Sequence, residues 1–314
     1  MEHRRLGHAG PMVSTVGLGC NNLGGRVDSA TARQILQKAL DLGVSLLDTA
    51  DTYGNRGGSE EELGRILGDR RKDFIIATKF GLPMDDAGIL SGASRRYILS
   101  AVEASLRRLK TDWIDLYQLH QFDPATPIEE TLRALDDLVG QGKVRFIGCS
   151  NATVADLAGA LDTSRQMKLT SFVSSQEEYS LLVRKPEHEL LPLMAEKGVG
   201  MLPYFPLAGG LLTGKYARDA APPEGSRFDR FAQYPERFLN EQNWRSVEGL
   251  QAFCTRRGCS MLQLAFSWLL QRPMVASVIA GASSAAQLEQ NVLAGQLRFA
   301  DAELDEIDAI TTPS

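Results

Sequence analysis

The sequence predicts a (β/α)8 barrel, a fold in which eight parallel strands alternate with helices around a closed sheet. Eight short runs rich in β-branched residues or leucine recur along the 314 residues, and polar or glycine loops and helical patterns separate them. The first seven runs end 26 to 41 residues apart, which suits strand–helix–strand units. An open doubly wound sheet is the alternative, but the even spacing and the absence of a linker near the midpoint favour the barrel.

Each run is predicted to be one barrel strand. In chain order the runs are VSTVGLG ending at Gly19, VSLLD at Asp48, FIIATK at Lys79, IDLYQLH at His120, VRFIGCS at Ser150, FVSSQ at Gln176, VGMLPY at Tyr204 and VASVIAG at Gly281. Before the first run, turn signals at Gly7 and Gly10 predict a short hairpin that closes the floor of the barrel.

The segments between the runs are predicted to be helices because their apolar residues recur at a helical period. Four of these segments cover residues 30–42, 95–109, 153–161 and 187–197. Ser59 and Glu62 have the spacing of a capping box, which predicts that a helix begins there. Pro127 is expected in the first turn of another helix, with Gly140 near its end.

The gap between the last two runs is far longer, at 77 residues. It is predicted to hold a long loop, 205–240, and then two helices on either side of Gly258. Loops of this length in compact domains are usually functional or disordered, so this one is a candidate part of a binding site.

The composition limits the classes of function that the sequence supports. With 39 acidic and 34 basic residues, the chain has no excess of positive charge for nucleic acid or for an anionic membrane. It has no apolar run of about 18 residues and no signal-peptide pattern at its start. Its four cysteines are spread out and fit free thiols in a reducing compartment. We therefore expect one cytoplasmic domain, 1–314, that acts on a small molecule; the oligomeric state stays open.

Ionisable residues stand at the ends of three successive predicted strands. These are Asp48, Lys79 and His120, and Tyr53 follows Asp48 by five residues. Taken singly, each is more often a cap, a solvated charge or a satisfied core group. Because the active sites of (β/α)8 enzymes lie at the C-terminal ends of the strands, the four together predict one shared catalytic site.

The chemistry available to these four residues is proton transfer to or from an oxygen. A lysine ammonium favours the tyrosine phenolate and should lower the pKa of Tyr53, while Asp48 keeps Lys79 charged. His120 can donate a hydrogen bond to a substrate oxygen, so the group suits the interconversion of a carbonyl and an alcohol. That reaction needs a hydride carrier. No metal is expected, because the four histidines are scattered along the chain.

Seven motifs resemble those of the aldo-keto reductase superfamily, in the style of its bacterial and potassium-channel-β-like branches. They are LLDTADTYG (46–54), IIATKFG (75–81), DLYQLHQFD (115–123), GKVRFIGCSN (142–151), SQEEYSLL (175–182), PLAGGLLTGKY (206–216) and GASSAAQLEQN (281–291). The resemblance implies a (β/α)8 barrel that binds NADPH without a Rossmann domain. It also implies catalysis by Asp48, Tyr53, Lys79 and His120, with Tyr53 as the acid–base.

The resemblance also implies a set of cofactor contacts. Ser150, Asn151 and Gln176 would bind the nicotinamide carboxamide, and Tyr204 would stack on the ring. The remaining expected contacts are Gly19, Cys20, Asn21 and Asp48 near the nicotinamide ribose, Phe205, Pro206, Leu207, Gly209 and Lys215 near the pyrophosphate, and Arg227, Gly281, Ser283, Gln287, Gln290 and Asn291 near the adenosine end.

Three departures from the family pattern concern the cofactor. Phe205 stands where the usual motif has serine, and Gln290 stands where relatives often have glutamate. No lysine or arginine occurs at 281–284, so a 2′-phosphate would be met by Ser283, Ser284 or Arg227. NADPH is the expected cofactor, and NADH is the alternative.

The substrate pocket is expected to include Asn22, Tyr53, Phe80, His120 and Phe122. With Phe205, the two phenylalanines would favour an apolar or aromatic substrate, although packing within the loops explains them equally well. Arg227 would instead attract an acidic or phosphorylated carbonyl compound.

Three other functions have less support in the sequence: a Rossmann dehydrogenase, a serine hydrolase and a regulatory subunit. The glycines at 17 and 19 do not continue into the Rossmann pattern, and GCSNA (148–152) only approaches a hydrolase nucleophile motif. The main alternative is a regulatory subunit that binds NADP and senses redox state with little or no turnover. Channel β-subunits often have asparagine at the position of His120, so the histidine favours an enzyme.

Overall fold

The computed structural model describes residues 1–312 and confirms the predicted (β/α)8 barrel. A two-stranded hairpin comes first, formed by β1 (His3–Arg5) and β2 (Met12–Ser14). The barrel strands are β3 (Val16–Gly19), β4 (Leu46–Asp48), β5 (Ile75–Phe80), β6 (Ile114–Leu119), β7 (Val144–Ser150), β8 (Phe172–Glu178), β9 (Gly200–Tyr204) and β10 (Val278–Gly281). Each of the eight predicted runs therefore overlaps one barrel strand, and the first run also includes two residues of β2.

All barrel strands pair in parallel and in chain order, and β10 returns to pair with β3. The last seam, between β9 and the segment before β10, closes through a short bridge. There Met201 N donates to Met274 O at 2.7 Å, and Ala276 N donates to Met201 O at 3.1 Å. Because this pairing closes the sheet on itself, the fold is a barrel and not the alternative open sheet.

The helices that cover the barrel begin at capped positions in most cases. Asp28, Ser94 and Thr153 each accept a backbone N–H from the first turn that follows. The helices are α1 (Ser29–Leu42), α2 (Tyr53–Leu67), α3 (Arg95–Leu109), α4 (Ile128–Gly140), α5 (Val154–Met167), α6 (Leu190–Lys197), α7 (Arg227–Arg230), α8 (Gln233–Phe238), α9 (Glu241–Arg257), α10 (Met261–Leu270), α11 (Ala285–Ala294) and α12 (Asp301–Thr311).

Two predicted helices have different ends. The helix predicted at 153–161 continues to Met167, and the one predicted at 187–197 begins at Leu190, after a 3-10 turn over Lys185–Glu187. Pro127 stands directly before α4 rather than inside its first turn. Helix ends depend on the caps and on neighbouring packing, which hydrophobic periodicity does not encode.

The helix start predicted near Ser59 agrees with the structure, but the predicted capping box of Ser59 and Glu62 does not form. The backbone of 54–57 is left-handed, and regular helical geometry in α2 begins only after it. Ser59 is fully buried, so its hydroxyl bonds across the fold: it donates to Cys20 O at 2.8 Å and lies 2.8 Å from Thr49 Oγ1. Glu62 pairs with Arg65 instead of turning back to the start of the helix.

The predicted long loop, 205–240, is ordered by stacked aromatic rings. The ring of Phe228 stacks on Tyr216 with the centroids 4.4 Å apart, and on Phe238 at 6.1 Å. The loop contains a 3-10 turn over Ala208–Thr213 and the short helices α7 and α8. As predicted, Gly258 separates the two helices that follow, with φ +69° at the end of α9.

Apolar side chains fill the lower half of the barrel. Leu46, Ala77, Leu116 and Leu202 form one cluster with Leu6 from the hairpin, as expected for a hairpin that closes the floor. Since side chains alternate along a strand, the residues two positions further along each strand also point inward, one layer higher. That upper layer is polar and faces the C-terminal ends of the strands. Within residues 1–312, no helix is both long and apolar enough to cross a membrane.

Candidate active site

A cavity of about 400 Å³ opens at the C-terminal ends of the barrel strands. Tyr53 and His120 line it, together with most of the residues that the sequence predicts as cofactor contacts. Those are Gly19, Asn21, Asp48, Ser150, Asn151, Gln176, Tyr204, Phe205, Pro206, Leu207, Gly209, Lys215, Arg227, Gly281 and Gln287. The volume lies within the range of small-molecule sites.

The four predicted catalytic residues come together at the base of this cavity. Asp48 and Lys79 stand two residues after the inward-facing Leu46 and Ala77, so their side chains also point into the barrel. Lys79 Nζ donates to Asp48 Oδ1 at 2.8 Å and to Oδ2 at 2.9 Å, and lies 3.4 Å from the Tyr53 hydroxyl. One ammonium therefore links the carboxylate to the phenol.

The Asp48 carboxylate has further donors. Gln176 Nε2 donates to Oδ1 at 2.8 Å, and Gln118 Nε2 lies 3.5 Å from the same oxygen. Lys79 is fully buried and also donates to Thr49 O at 2.9 Å. Burial alone favours a neutral amine, but Asp48 and Tyr53 offset it, and the pKa of Lys79 is raised above its ordinary value.

The pKa of Tyr53 moves in the direction opposite to the sequence prediction. Burial disfavours the phenolate and outweighs the attraction of Lys79, so the pKa of Tyr53 is raised. The negative charge of Asp48 acts in the same direction as burial. The sequence places the ammonium beside the phenol but does not reveal how deeply the phenol is buried.

His120 is neutral at physiological pH. Burial, and then the positive charge of Lys79, lower its pKa to about 3. Its ring meets that of Tyr53 edge-on, with the centroids 5.8 Å apart. Within the part of the chain that the structure describes, His120 Nδ1 is buried and has no hydrogen-bond partner.

A second cluster surrounds the turn that follows β7. Asn151 has a left-handed backbone, with φ 55°, and its side chain bridges two elements. Nδ2 donates to His120 O at 3.0 Å, and Oδ1 accepts from the Tyr204 hydroxyl at 2.7 Å. Ser150 Oγ donates to Gln176 O at 2.7 Å. The predicted carboxamide and ring contacts are therefore neighbours along one wall of the cavity.

The other wall fits an anionic, extended ligand. Gly209 and Gly210 have φ 70° and 109°, and a Cβ on Gly210 would lie 3.6 Å from Lys215 Nζ. Lys215 and Arg227 line the cavity, and neither forms a salt bridge with another residue of 1–312. Two cations that face a cavity without a carboxylate partner suit the phosphates of a dinucleotide.

Several predicted contacts lie outside the cavity. Cys20 is fully buried, and the Asn22 side chain donates to Ala282 O at 3.2 Å. Ser283 bonds to Gln287, which does line the cavity. On α11, Gln290 is exposed to solvent, whereas the Asn291 side chain is buried and donates to Gly281 O at 3.4 Å.

The predicted wall of three phenylalanines does not form, because only Phe205 lines the cavity. Phe80 directly follows the inward-pointing Lys79 and therefore points outward, where it is fully buried and stacks on Tyr117 at 4.6 Å. Phe122 packs edge-on against Phe172 and does not line the cavity. Strand alternation carries the information needed to exclude Phe80.

The sequence prediction missed some residues at this site. Gly210, Thr213, Ile279 and Ala280 line the cavity. Gln118, beside Asp48, could have been found, because it stands two residues after the inward-facing Leu116. Among residues 1–312, no group of three or more histidine, cysteine or acidic side chains is arranged to hold a metal ion.

Chemically, the site combines a half-buried phenol, a fixed ammonium and a neutral imidazole around one open space. Such a group can exchange a proton with an oxygen bound there while the adjacent positive charge stabilises the anion that forms. It lacks a group of its own that could transfer electrons or hydride. The adjacent cavity wall, which carries Lys215 and Arg227 and is called the cationic wall below, can accommodate a cofactor that transfers hydride.

Comparison with known proteins agrees with this geometry. The model of the Aldo/keto reductase family matches residues 15–312. An L-glyceraldehyde 3-phosphate reductase of Escherichia coli (strain K12) is 37% identical across 98% of this chain and 92% of its own length. A probable voltage-gated potassium channel subunit beta of Arabidopsis thaliana is 36% identical across 94% and 91%. An uncharacterised oxidoreductase of Bacillus subtilis, YrpG, is 34% identical across 95% and 92%. The chain therefore belongs to the aldo/keto reductase family, whose members generally use nicotinamide cofactors, and is an NAD(P)H-dependent oxidoreductase.

Proposed function

We propose that this chain reduces aldehydes or ketones to alcohols with NADPH, and that Tyr53 supplies the proton. The observation that carries the proposal is the position of Lys79 Nζ, 2.8 Å from Asp48 Oδ1 and 3.4 Å from the Tyr53 hydroxyl. A phenol held beside a fixed positive charge can protonate an oxygen on which negative charge develops.

The raised pKa of Tyr53 suits the role of a proton donor, because the phenol stays protonated at neutral pH. After the proton leaves, the phenolate lies beside the Lys79 ammonium, which Asp48 holds in place. The neutral His120 has one ring N–H that can donate to the carbonyl oxygen and orient it. For alcohol oxidation, the same groups would move the proton in the opposite direction.

The nicotinamide, when bound, supplies or accepts the hydride at its C4 position. We assign its carboxamide to Ser150, Asn151 and Gln176, since these side chains offer both donors and acceptors. Tyr204 would pack against the ring. Gln176 already donates to Asp48 through Nε2, which leaves its carbonyl oxygen free to accept from the carboxamide.

We assign the phosphates of the cofactor to the cationic wall. Lys215 and the turn around Gly209 would meet the pyrophosphate, and Gln287 and Gly281 would meet the adenosine end. Arg227 is available for the 2′-phosphate, which favours NADPH over NADH. We expect a higher kcat/KM with NADPH than with NADH, and Arg227→Ala should reduce that preference. An unchanged preference would exclude Arg227 from 2′-phosphate recognition.

For the substrate, we propose small aldehydes, including those that carry a phosphate or carboxylate. Of the three predicted phenylalanines only Phe205 lines the cavity, so no apolar wall restricts the substrate to aromatic compounds. The name of the Escherichia coli relative includes a phosphorylated aldehyde. Both observations support a test of anionic and neutral aldehydes of equal size. A preference for aromatic aldehydes would count against this substrate class.

The second candidate is an NADP-binding regulatory subunit with little turnover. Its support is the similarity to the probable channel subunit of Arabidopsis thaliana. Both candidates require cofactor binding, so turnover distinguishes them. His120 at the base of the cavity favours the enzyme.

The decisive experiment follows NADPH oxidation with a panel of aldehydes, α-dicarbonyls and sugars. Wild type should turn over, and Tyr53→Phe should lower kcat by about 10²–10⁴-fold while NADPH still binds. Tyr97→Phe is the control, because it removes a buried hydroxyl on α3, away from the cavity. Binding without turnover on any carbonyl would favour the regulatory subunit, and full activity of Tyr53→Phe would exclude Tyr53 as the proton donor.

A further inference from the structure

Glu177 is a buried carboxyl at the end of β8 that the proposed chemistry does not use. Its neighbour Gln176 points into the barrel, so Glu177 points outward, where it is 6% exposed. Burial raises the pKa of Glu177 to about 7, despite hydrogen bonds that lower it. No basic side chain of residues 1–312 pairs with it.

The Glu177 carboxylate accepts two hydrogen bonds from neutral groups. Oε1 accepts from Ser175 Oγ at 2.5 Å and from the backbone N–H of Ala152 at 3.0 Å. Ala152 belongs to the turn after β7. The preceding residue, Asn151, donates its own N–H to Gln176 O at 3.1 Å. Gln176 and Glu177, which are consecutive in β8, thus accept the backbone N–H groups of Asn151 and Ala152, which are consecutive in the turn.

This turn has a strained residue at its centre. Asn151 has φ 55°, a left-handed conformation that costs a non-glycine residue roughly 1–2 kcal/mol, although asparagine tolerates it better than most. In that conformation the Asn151 side chain reaches both His120 O and the Tyr204 hydroxyl. The amide bonds on either side of the turn keep the backbone from relaxing.

We propose that Glu177 is a positioning residue for the cofactor: by holding the Ala152 amide, it keeps Asn151 in the left-handed conformation that directs its side chain toward the cavity. The inference rests on the proposed function, since it concerns the turn that we assign to the nicotinamide carboxamide. Glu177 does not line the cavity and acts only through the turn.

The test compares two variants of Glu177. Glu177→Gln keeps a carbonyl oxygen that can accept from Ala152, whereas Glu177→Leu removes the acceptor and leaves the amide buried without a partner. Glu177→Leu should weaken NADP+ binding by about tenfold, the size expected when a buried amide loses its hydrogen-bond acceptor. Glu177→Gln should bind within about twofold of wild type, because it rescues the acceptor.

A second readout needs no cofactor. Hydrogen exchange of the Ala152 amide should accelerate in Glu177→Leu and stay slow in Glu177→Gln. The matched control is Asp136→Leu, because Asp136 on α4 also accepts from one backbone N–H and one hydroxyl, Thr170 N at 2.8 Å and Thr170 Oγ1 at 2.6 Å. It does not line the cavity, and within residues 1–312 it forms no salt bridge. This control variant should lower stability without changing NADP+ affinity. If Glu177→Leu does not fold, Glu177→Ser replaces it with the same expectations, since serine is too short to reach Ala152.

Two results would overturn the inference. One is NADP+ binding by folded Glu177→Leu that equals that of wild type, and the other is a Glu177→Gln variant as weak as Glu177→Leu. If wild type itself binds no NADP(H), the proposed function fails. The exchange rate of the Ala152 amide still tests, in that case, whether Glu177 holds the turn.

Discussion

Lys79 shows how much one side chain contributes to this site. Its stem runs through the barrel interior, and its ammonium is shared between Asp48, Tyr53 and the backbone of Thr49. A buried charge is stable only when it is paired and hydrogen-bonded, so the position of Lys79 fixes those of its partners. The same ammonium also disfavours a positive charge on His120.

Replacing Lys79 by methionine tests this arrangement. Lys79→Met should lower kcat by about 10²–10⁴-fold, because the phenolate of Tyr53 loses the charge that stabilises it. Without the ammonium, the pKa of Tyr53 should rise further, so the alkaline limb of any residual pH–rate profile should move to higher pH. The Lys79→Met substitution should also lower the free energy of unfolding by about 3–5 kcal/mol, since Asp48 is left buried without its cation. An unshifted alkaline limb would mean that Lys79 does not act on Tyr53.

Asp51 provides a pH-dependent prediction. It is 1% exposed, and within residues 1–312 it forms no salt bridge. Burial, and then the charge of Glu60, raise its pKa to about 8 from the ordinary value of 3.8. A raised carboxyl pKa favours folding below the unfolded pKa, and this contribution is lost as the pH rises toward the folded pKa.

The free energy of unfolding of wild type should therefore fall between about pH 4 and pH 8, relative to that of Asp51→Asn. Asparagine has a similar shape and does not titrate, so the difference between the two proteins isolates this one group. Urea unfolding at several pH values measures it. Parallel curves for the two proteins would show that Asp51 does not titrate across this range.

At the level of single residues, the sequence predicted where side chains lie better than it predicted how deeply they are buried. The four candidate catalytic residues could be found because parallel strands bring their C-terminal ends together. The direction of the Tyr53 pKa could not, because it depends on burial by residues from several elements. Phe80 shows an avoidable error: it adjoins Lys79 on one strand, so the two side chains cannot share a face.

At the scale of elements, the strands were the most predictable because buried parallel strands are short, apolar runs. Helix starts were less predictable. Ser59 has the spacing of a cap, yet it bonds to Cys20 and Thr49, which lie on or beside neighbouring strands. Contacts between residues distant in sequence decide the partners of the Ser59 hydroxyl, and a local pattern does not contain them.

Two helical glycines give opposite predictions for the same substitution. In α2, a Cβ on Gly64 would lie 2.2 Å from Arg108 O, so Gly64→Ala should push α2 away from α3 and destabilise the protein. In α5, Gly159 has no atom within 4 Å of that position. Gly159→Ala should therefore stabilise the protein by about 0.8–1 kcal/mol, the ordinary gain in a helix interior. Thermal unfolding checks both. Equal effects of the two variants would mean that the close contact between α2 and α3 does not constrain packing.

The whole molecule separates its functions between the two ends of the barrel. The N-terminal end is apolar and is closed by Leu6 and Val13 of the hairpin, while the C-terminal end is polar and holds the cavity. The sequence predicted the barrel from the spacing of its runs. The predicted eighth run, VASVIAG, already includes Val275, whose bridge to Met201 closes the barrel just before β10 begins.

This separation predicts that damage at the floor lowers stability and leaves the site unchanged. Leu6 is fully buried, so Leu6→Ala should lower the free energy of unfolding by about 2–5 kcal/mol, through lost burial and a cavity. Met12 lies in the same hairpin and is 46% exposed, so Met12→Ala should have little effect on stability. Both variants should bind NADP+ as wild type does, because the polar layer with Asp48 and Lys79 lies between the floor and the cavity. Weakened NADP+ binding by a folded Leu6→Ala variant would show that the hairpin also shapes the C-terminal end.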